Sequence, residues 1–197
     1  MTGAQLPAPD AYAPQSGDLS YDVESYDIAI TYKPSTNRLV GRVILNAVAR
    51  RPIRSFTVDL VGLHASKVRV DGDRRTAYRQ GPRMIRVTPS TPIALDERFS
   101  VEFAYAGAPT PRRSRWGTIG WEELEDGALV AAQPTGAPTW FPCNDRPDDK
   151  ATYRIAVTTD AAYSVVATGE RVSLGRAGGA ATWVFEQPAP TPTYLVA

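Results

Sequence analysis

Histidine and cysteine are all but missing from this chain, with one of each, His64 and Cys143, among 197 residues. A lone cysteine excludes an internal disulfide framework. A catalytic zinc site draws on about three protein ligands, mostly His with Asp, Glu or Cys, so no metal is expected in the chain. A catalytic thiol needs a base and an electropositive surrounding. His64 is the only imidazole on offer, so Cys143 reads as a small buried hydrophobe and His64 as a structural residue. No GxGxxG loop, P-loop lysine motif or GxSxG elbow is present, and no cofactor is expected. An excess of charge is also absent: 22 basic against 21 acidic residues leave a formal net charge of +1, where a dedicated polyanion binder shows a strong basic excess. No apolar run is long enough for a membrane-spanning helix. Neither nucleic acid nor membrane is therefore an expected partner. Residues 1–19 lack the basic start and apolar stretch of a signal peptide. They read as a flexible arm of a protein expected to be cytoplasmic, a removed export signal being the alternative.

What is present is alternation. Tyr26, Ile28, Ile30 and Tyr32 recur at period two, the spacing that puts side chains on one face of a strand. Val43, Leu45 and Ala47 repeat the pattern within 39–50, and Phe99, Val101, Phe103 and Tyr105 do so again. Shorter strands are predicted around Phe56–Leu60, Val68–Val70, Ile85–Val87, Leu129–Gln133, Tyr153–Thr158, Tyr163–Thr168, Thr182–Phe185 and Thr193–Val196. Asp71-Gly72 signals a hairpin and Gly178-Gly179 a turn. Residues 107–128 read as a long loop and 134–150 as irregular. Proline, 17 of 197 residues, breaks any helix that would start. The expected fold is all-β, a large twisted antiparallel sheet or β-sandwich over residues 20–197. The arginine clusters near residues 50, 74 and 112–115 read as solvated turns, and Trp116, Trp121, Trp140 and Trp183 as buried rings rather than a sugar-stacking platform.

The densest signal is QPTGAPTWFPCNDRPDDKATY, residues 133–153. Prolines fix φ, Asn144 and Asp145 can bond nearby backbone, and Lys150 can answer Asp145, Asp148 or Asp149. A rigid loop on a β scaffold is a common place to display binding groups. Gln133-Pro134-Thr135, Ala137, Phe141-Pro142-Cys143, Asp145, Pro147 and Lys150-Ala151 resemble the E/Q-P-T-x-A-x-x-x-F-P-C-x-D-x-P-x-x-K-A pattern of zinc aminopeptidases of the aminopeptidase N type, which include the leukotriene hydrolases. Tyr21–Tyr32 resembles that family's opening strand and Pro190–Ala197 its closing one, so the resemblance covers about residues 20–197. Pro138-Thr139-Trp140, Asn144 and Arg146 depart from the commonest choices and suggest a bacterial subgroup.

The resemblance implies a non-catalytic, β-rich N-terminal domain that packs on a thermolysin-like catalytic domain. Phe141, Pro142, Cys143, Asp145, Pro147 and Lys150 would be its structural motif. It implies zinc in the parent enzyme and peptides as its substrates, the family's HExxH and GxMEN motifs belonging to the next domain and being absent here. It gives Gln133 a substrate-binding role near the free amino group of the peptide. On this reading the chain alone is inactive, and its ending inside the apolar run TYLVA reads as a cut from something longer. The alternative from the residues alone is a free-standing β-sandwich adhesion or carbohydrate-binding module.

Overall fold

The alternation builds a long first strand, β1 (Tyr21–Lys33), whose inward residues are buried. Its phase does not run unbroken. A register shift between Val23 and Ser25 against β2 (Arg38–Ala49) adds a residue at Glu24. Such a bulge turns the following side chains over, and so brings both Tyr21-Val23 and Tyr26-Ile28 to the core. The computed structural model describes residue 11 and residues 13–197. Eleven more strands follow: β3 (Phe56–Asp59), β4 (His64–Val70), β5 (Ala77–Gln80), β6 (Met84–Thr88), β7 (Arg98–Gly107), β8 (Arg112–Ser114), β9 (Gly117–Leu124), β10 (Gly127–Ala131), β11 (Lys150–Asp160), β12 (Glu170–Ala177) and β13 (Ala180–Pro192).

They form a seven-stranded sheet in the order β12-β13-β11-β1-β2-β7-β4 and two three-stranded sheets, β10-β9-β8 and β3-β6-β5. The fold is all-β, as the alternation indicated. The large sheet is antiparallel except at its centre, where β1 pairs with β11 in parallel, Ser25 opposite Thr152 and Ile30 opposite Val157. The small sheets cover one face of the large one. Tyr21 of β1 meets Phe56 of β3 and Phe99 of β7 edge-on at 5.4 and 5.9 Å, and Tyr32 meets Trp121 of β9 at 4.8 Å.

Several expectations need correction. Residues 107–128 are no loop but carry β8, β9 and the start of β10; positive φ at Gly117, Gly120 and Gly127 lets the chain double back there. The strand expected over Leu129–Gln133 runs instead over Gly127–Ala131. Residues 163–168 form no strand, and Thr193–Leu195 is one 3-10 turn. The edge strand β12, exposed at every position, carries no burial pattern and went unread. Asp71-Gly72 does turn tightly, with φ of 48° and 75°, but the turn closes on a single bridge, Val70 to Asp73, before the chain leaves for the β3-β6-β5 sheet. The described part of the arm is not loose. Ala13 is buried, and the backbone N–H groups of Gly17 and Asp18 donate to Asp59 Oδ2 and Asn144 Oδ1 at 2.8 and 2.7 Å. The rest of the arm, residues 1–10 and 12, lies outside the described residues.

Gly41 of β2 sits opposite Tyr105 of β7, whose ring is 1% exposed. A Cβ on Gly41 would fall 2.3 Å from Tyr105 Cζ. Overpacking of this kind costs about 1–3 kcal/mol. Gly41→Ala should therefore lower the urea midpoint by that amount; an unchanged midpoint would show that the ring can move aside.

Candidate functional site

Parallel pairing aligns the beginnings of β1 and β11. The segments that enter these strands, residues 13–20 and 133–149, therefore meet at one end of the large sheet. The second segment is nearly all interior: Thr135 through Arg146 is buried. Phe141 stands edge-on to Tyr26 at 5.6 Å and against Trp140 at 4.4 Å, and Tyr26 stacks on Tyr153 at 5.1 Å. A one-turn 3-10 helix spans Ala137–Thr139. Thr139 Oγ1 accepts from Trp121 N at 2.8 Å and donates to Gly136 O at 2.7 Å, joining the loop to β9.

Buried backbone must find partners, and this loop finds them in three directions. Cys143 and Asp59 exchange backbone hydrogen bonds at 2.8 and 3.1 Å, tying the loop to the end of β3. Asn144 accepts from Asp18 N and donates through Nδ2 to Asp149 Oδ2 at 2.6 Å and Asp18 O at 3.2 Å. Arg146, 5% exposed, donates to Asp148 at 2.7 Å and to Asp22 of β1 at 3.1 Å. Gly17, at φ 71°, lies so close that a Cβ would fall 2.2 Å from Arg146 Cγ.

Three carboxyls are enclosed here. Asp59 Oδ2 accepts from Gly17 N and Asp145 N. Asp145 Oδ1 accepts from Thr193 Oγ1 at 2.7 Å. Asp149 Oδ1 accepts from Val23 N at 3.0 Å. Burial raises all three, Asp59 to about 6 and Asp145 and Asp149 to about 7, with Asp59 further raising Asp145 by like charge. Burial also pushes the Cys143 thiol well above its ordinary range, so this cysteine is no nucleophile.

Phe141, Pro142, Cys143 and Asp145 thus lie inside the loop, Pro147 is half-buried and Lys150 is exposed. Lys150 makes no ion pair among the described residues; Arg146 takes Asp148 instead. Gln133 is exposed, directly before the buried run, where β10 has ended. Asp18, Asp59 and Thr193 are the members that the sequence did not announce. For Asp59, the alternation Phe56, Val58, Leu60 gave no signal, since it assigned Asp59 to the outward face of the strand.

Beside the loop, a cavity of about 370 Å³ opens between the β10-β9-β8 sheet and the large sheet, lined by Tyr32, Trp121, Leu129, Trp140, Val157 and Val165 among others. Leu124, Leu129 and Val166 on its walls are 44%, 48% and 90% exposed. Trp121, Trp140 and Trp183 are buried, while Trp116 is exposed under Arg115, whose Cζ lies 4.2 Å from the ring centroid. The tryptophans therefore form no stacking platform, and His64 lies exposed at the start of β4. Among the described residues, no group of three His, Cys, Asp or Glu side chains could hold a metal ion, and no helix is long and apolar enough to cross a membrane.

Comparison with known proteins sets this geometry in context. A family model described as the Peptidase M1 N-terminal domain matches residues 22–195. Leucine aminopeptidase 2 of Coccidioides immitis is 27% identical over 176 residues, covering 81% of this chain and 28% of that protein. The same-named protein of Pyricularia oryzae is 31% identical over 171 residues, with the same coverage. Among solved structures, a two-domain M1 zinc metallopeptidase bound to L-arginine superposes with a TM-score of 0.90 at 30% identity, covering 96% of this chain and 44% of that one. The M1 zinc metallopeptidase of Deinococcus radiodurans gives 0.89 with the same identity and coverage. The chain thus spans less than a third of the curated relatives and less than half of the matched structures.

The buried carboxyls set a pH dependence. A carboxyl whose pKa is raised in the folded state is held protonated there, so its contribution to stability is full below the unfolded value of about 3.9 and is lost as pH rises through the folded value. Stability should fall by on the order of 1 kcal/mol or more between pH 5 and 8. Asp145→Asn keeps an oxygen for Thr193 and removes one of the charges, so its decline should be shallower. Urea unfolding of both proteins across this range tests it; a wild-type stability that rises from pH 5 to 8 would contradict the assignment.

Proposed function

We propose, because this chain belongs to the Peptidase M1 N-terminal domain family, that it is the non-catalytic N-terminal part of a zinc-dependent aminopeptidase. In that enzyme it packs on the catalytic domain and helps form the substrate pocket. The observation that carries the reading is the contrast at residue 133: a polar, exposed side chain held at the edge of a loop that is buried from Thr135 to Arg146. A side chain displayed from so fixed a mount can meet a substrate group without first being ordered, which is what precise positioning requires. The amide oxygen of Gln133 accepts a hydrogen bond from the α-ammonium of a peptide, and the amide does not ionise at any working pH. Gln133 therefore recognises substrate and carries no proton.

The apolar walls of the 370 Å³ cavity support the packing role. Exposed apolar patches mark surfaces that meet other protein, and the catalytic domain is the occupant this family supplies. The zinc of the parent enzyme does not fit the residues described here. Asp59 and Asp149 are engaged by backbone N–H groups, Asp145 by a hydroxyl and His64 stands apart. When bound in the rest of the protein, zinc would activate a water for attack on the first peptide bond.

Two outcomes follow. The purified 197-residue chain should retain no zinc after dialysis and should not hydrolyse an aminoacyl anilide; stoichiometric zinc, or turnover that a chelator removes, would refute the assignment of chemistry to the missing part. In the full enzyme, Gln133→Ala removes one charge-assisted hydrogen bond, worth roughly 1.5–3 kcal/mol. kcat/KM on free-amine peptides should then fall by about 10- to 150-fold. Gln133→Glu should be milder, and a peptide with a blocked amino end should be poor already and lose little more. Stability should change by less than about 1 kcal/mol, the side chain being exposed. Full activity of Gln133→Ala would sink the recognition role.

A further inference from the structure

Beyond the loop at residue 133, four guanidinium groups converge on a second cleft. It holds about 270 Å³ and is lined by Arg83, Arg112, Arg113 and Arg115, with Trp116 and Thr135, and among the described residues no acidic side chain lines it. The arginines arrive on different elements. Arg112 and Arg113 belong to β8, Arg115 to the turn after it and Arg83 to the turn between β5 and β6. Residues 13–16 form the facing wall.

Like charges do not gather without a reason. Arg83, Arg112 and Arg113 enter no ion pair among the described residues. Arg112 is half-buried. Its Nη2 donates to Thr135 Oγ1, and its Nε is enclosed with no hydrogen-bond partner. Burial and the neighbouring Arg83 both lower its pKa, while the enclosed Asp145 and Asp59 act against that shift. Those carboxyls are already committed to Thr193, Gly17 and the backbone of Asp145. A buried polar group without a partner is costly, and a fork of guanidinium donors matches a carboxylate in shape and charge. Beside them Trp116, 44% exposed, offers a flat apolar surface of the kind that peptide side chains cover.

We infer that this arginine cleft binds a carboxylate of the peptide substrate. The inference rests on the reading that the parent enzyme acts on peptides. Thr135, which holds Arg112, lies two residues after Gln133, so their Cα atoms are at most about 7.6 Å apart. A peptide whose amino end reaches Gln133 therefore has its carboxylate in range of the cleft when it is short. The carboxylate has two sources, the C-terminus of a short peptide or an acidic side chain of a longer one.

Calorimetry on the 197-residue chain at low ionic strength, where exposed charge is least screened, decides the matter. The probes are trialanine as the free acid, trialanine amide, and an Ala-Glu-Ala amide. The free acid should bind at least about tenfold more tightly than the trialanine amide, the loss of one charge-assisted contact. Binding of the Ala-Glu-Ala amide would assign the side chain as a source, and its failure to bind beside a binding free acid would assign the C-terminus. Arg112→Gln should abolish the difference between acid and amide. Because Arg112 is half-buried, Arg83→Gln and Arg113→Gln, both exposed, serve as variants that keep the fold, and each should weaken the acid severalfold. Arg38→Gln, exposed at the start of β2, should leave binding unchanged. Equal binding of all three probes, no binding of any probe, or an equal loss with Arg38→Gln would overturn the inference. None of these results bears on Gln133→Ala in the full enzyme, so the two readings fail separately.

Discussion

One side-chain amide holds the two ends of this fold together. Asn144 takes hydrogen bonds from the arm before β1 and gives them to the arm and to Asp149, at the entrance of β11. Its role follows from the parallel pairing of β1 and β11. Antiparallel neighbours can be joined by a tight turn, but parallel neighbours need a long crossover. Both of the strand entrances then lie at one end of the sheet, with nothing in the sheet ladder to satisfy them. A short polar residue with two donors and an acceptor meets that need where an apolar one could not. The rest of the knot, Arg146 with Asp22 and Asp59 with Gly17, is built around the same junction.

The junction is polar in a place where apolar packing would be more stable. Burying charges costs more than their pairing returns in many proteins, and the better-attested gain is a single arrangement of the chain. That trade gives the loop, and the exposed Gln133 at its edge, one fixed arrangement. The enclosed carboxyls raise the cost of the folded state at neutral pH, and the aromatic stack of Tyr26, Phe141 and Tyr153 offsets it with packing that no change of pH removes.

The sheet and its central strands were legible because their alternation is a property of each strand alone: Tyr26 to Tyr32 and Phe99 to Tyr105 mark their inward faces without reference to any partner. The loop was legible through its resemblance, which put Phe141 and Cys143 in a structural motif. What escaped depends on distant pairings. β12 is exposed along its length, and no pattern distinguishes such an edge from a loop. Asp59 and Asp18 look like ordinary surface carboxylates until the fold closes over them. Lys150 and Arg146 flank the loop acids equally closely in sequence, yet it is Arg146 that takes Asp148, because its planar head can bind it and Asp22 at once. The arginine cleft is divided in sequence: residues 112–115 looked like a solvated turn, and nothing joined Arg83 to them.

The central position of a parallel pair also fixes the order in which the molecule can come into being. β1 sits between β2, which follows it at once, and β11, which begins at Lys150. A growing polypeptide can assemble β1, β2, β7 and β4 while one flank of β1 still offers unpaired backbone to whatever is near. Only when Lys150–Asp160 emerges does that flank close. Contacts between such distant residues are slow to form, and during synthesis the exposed flank persists for as long as it takes to translate the intervening chain. β11, backed by the hairpin of β12 and β13, then arrives as the piece that shields it, so a chain interrupted before residue 150 would be left with an open edge on β1.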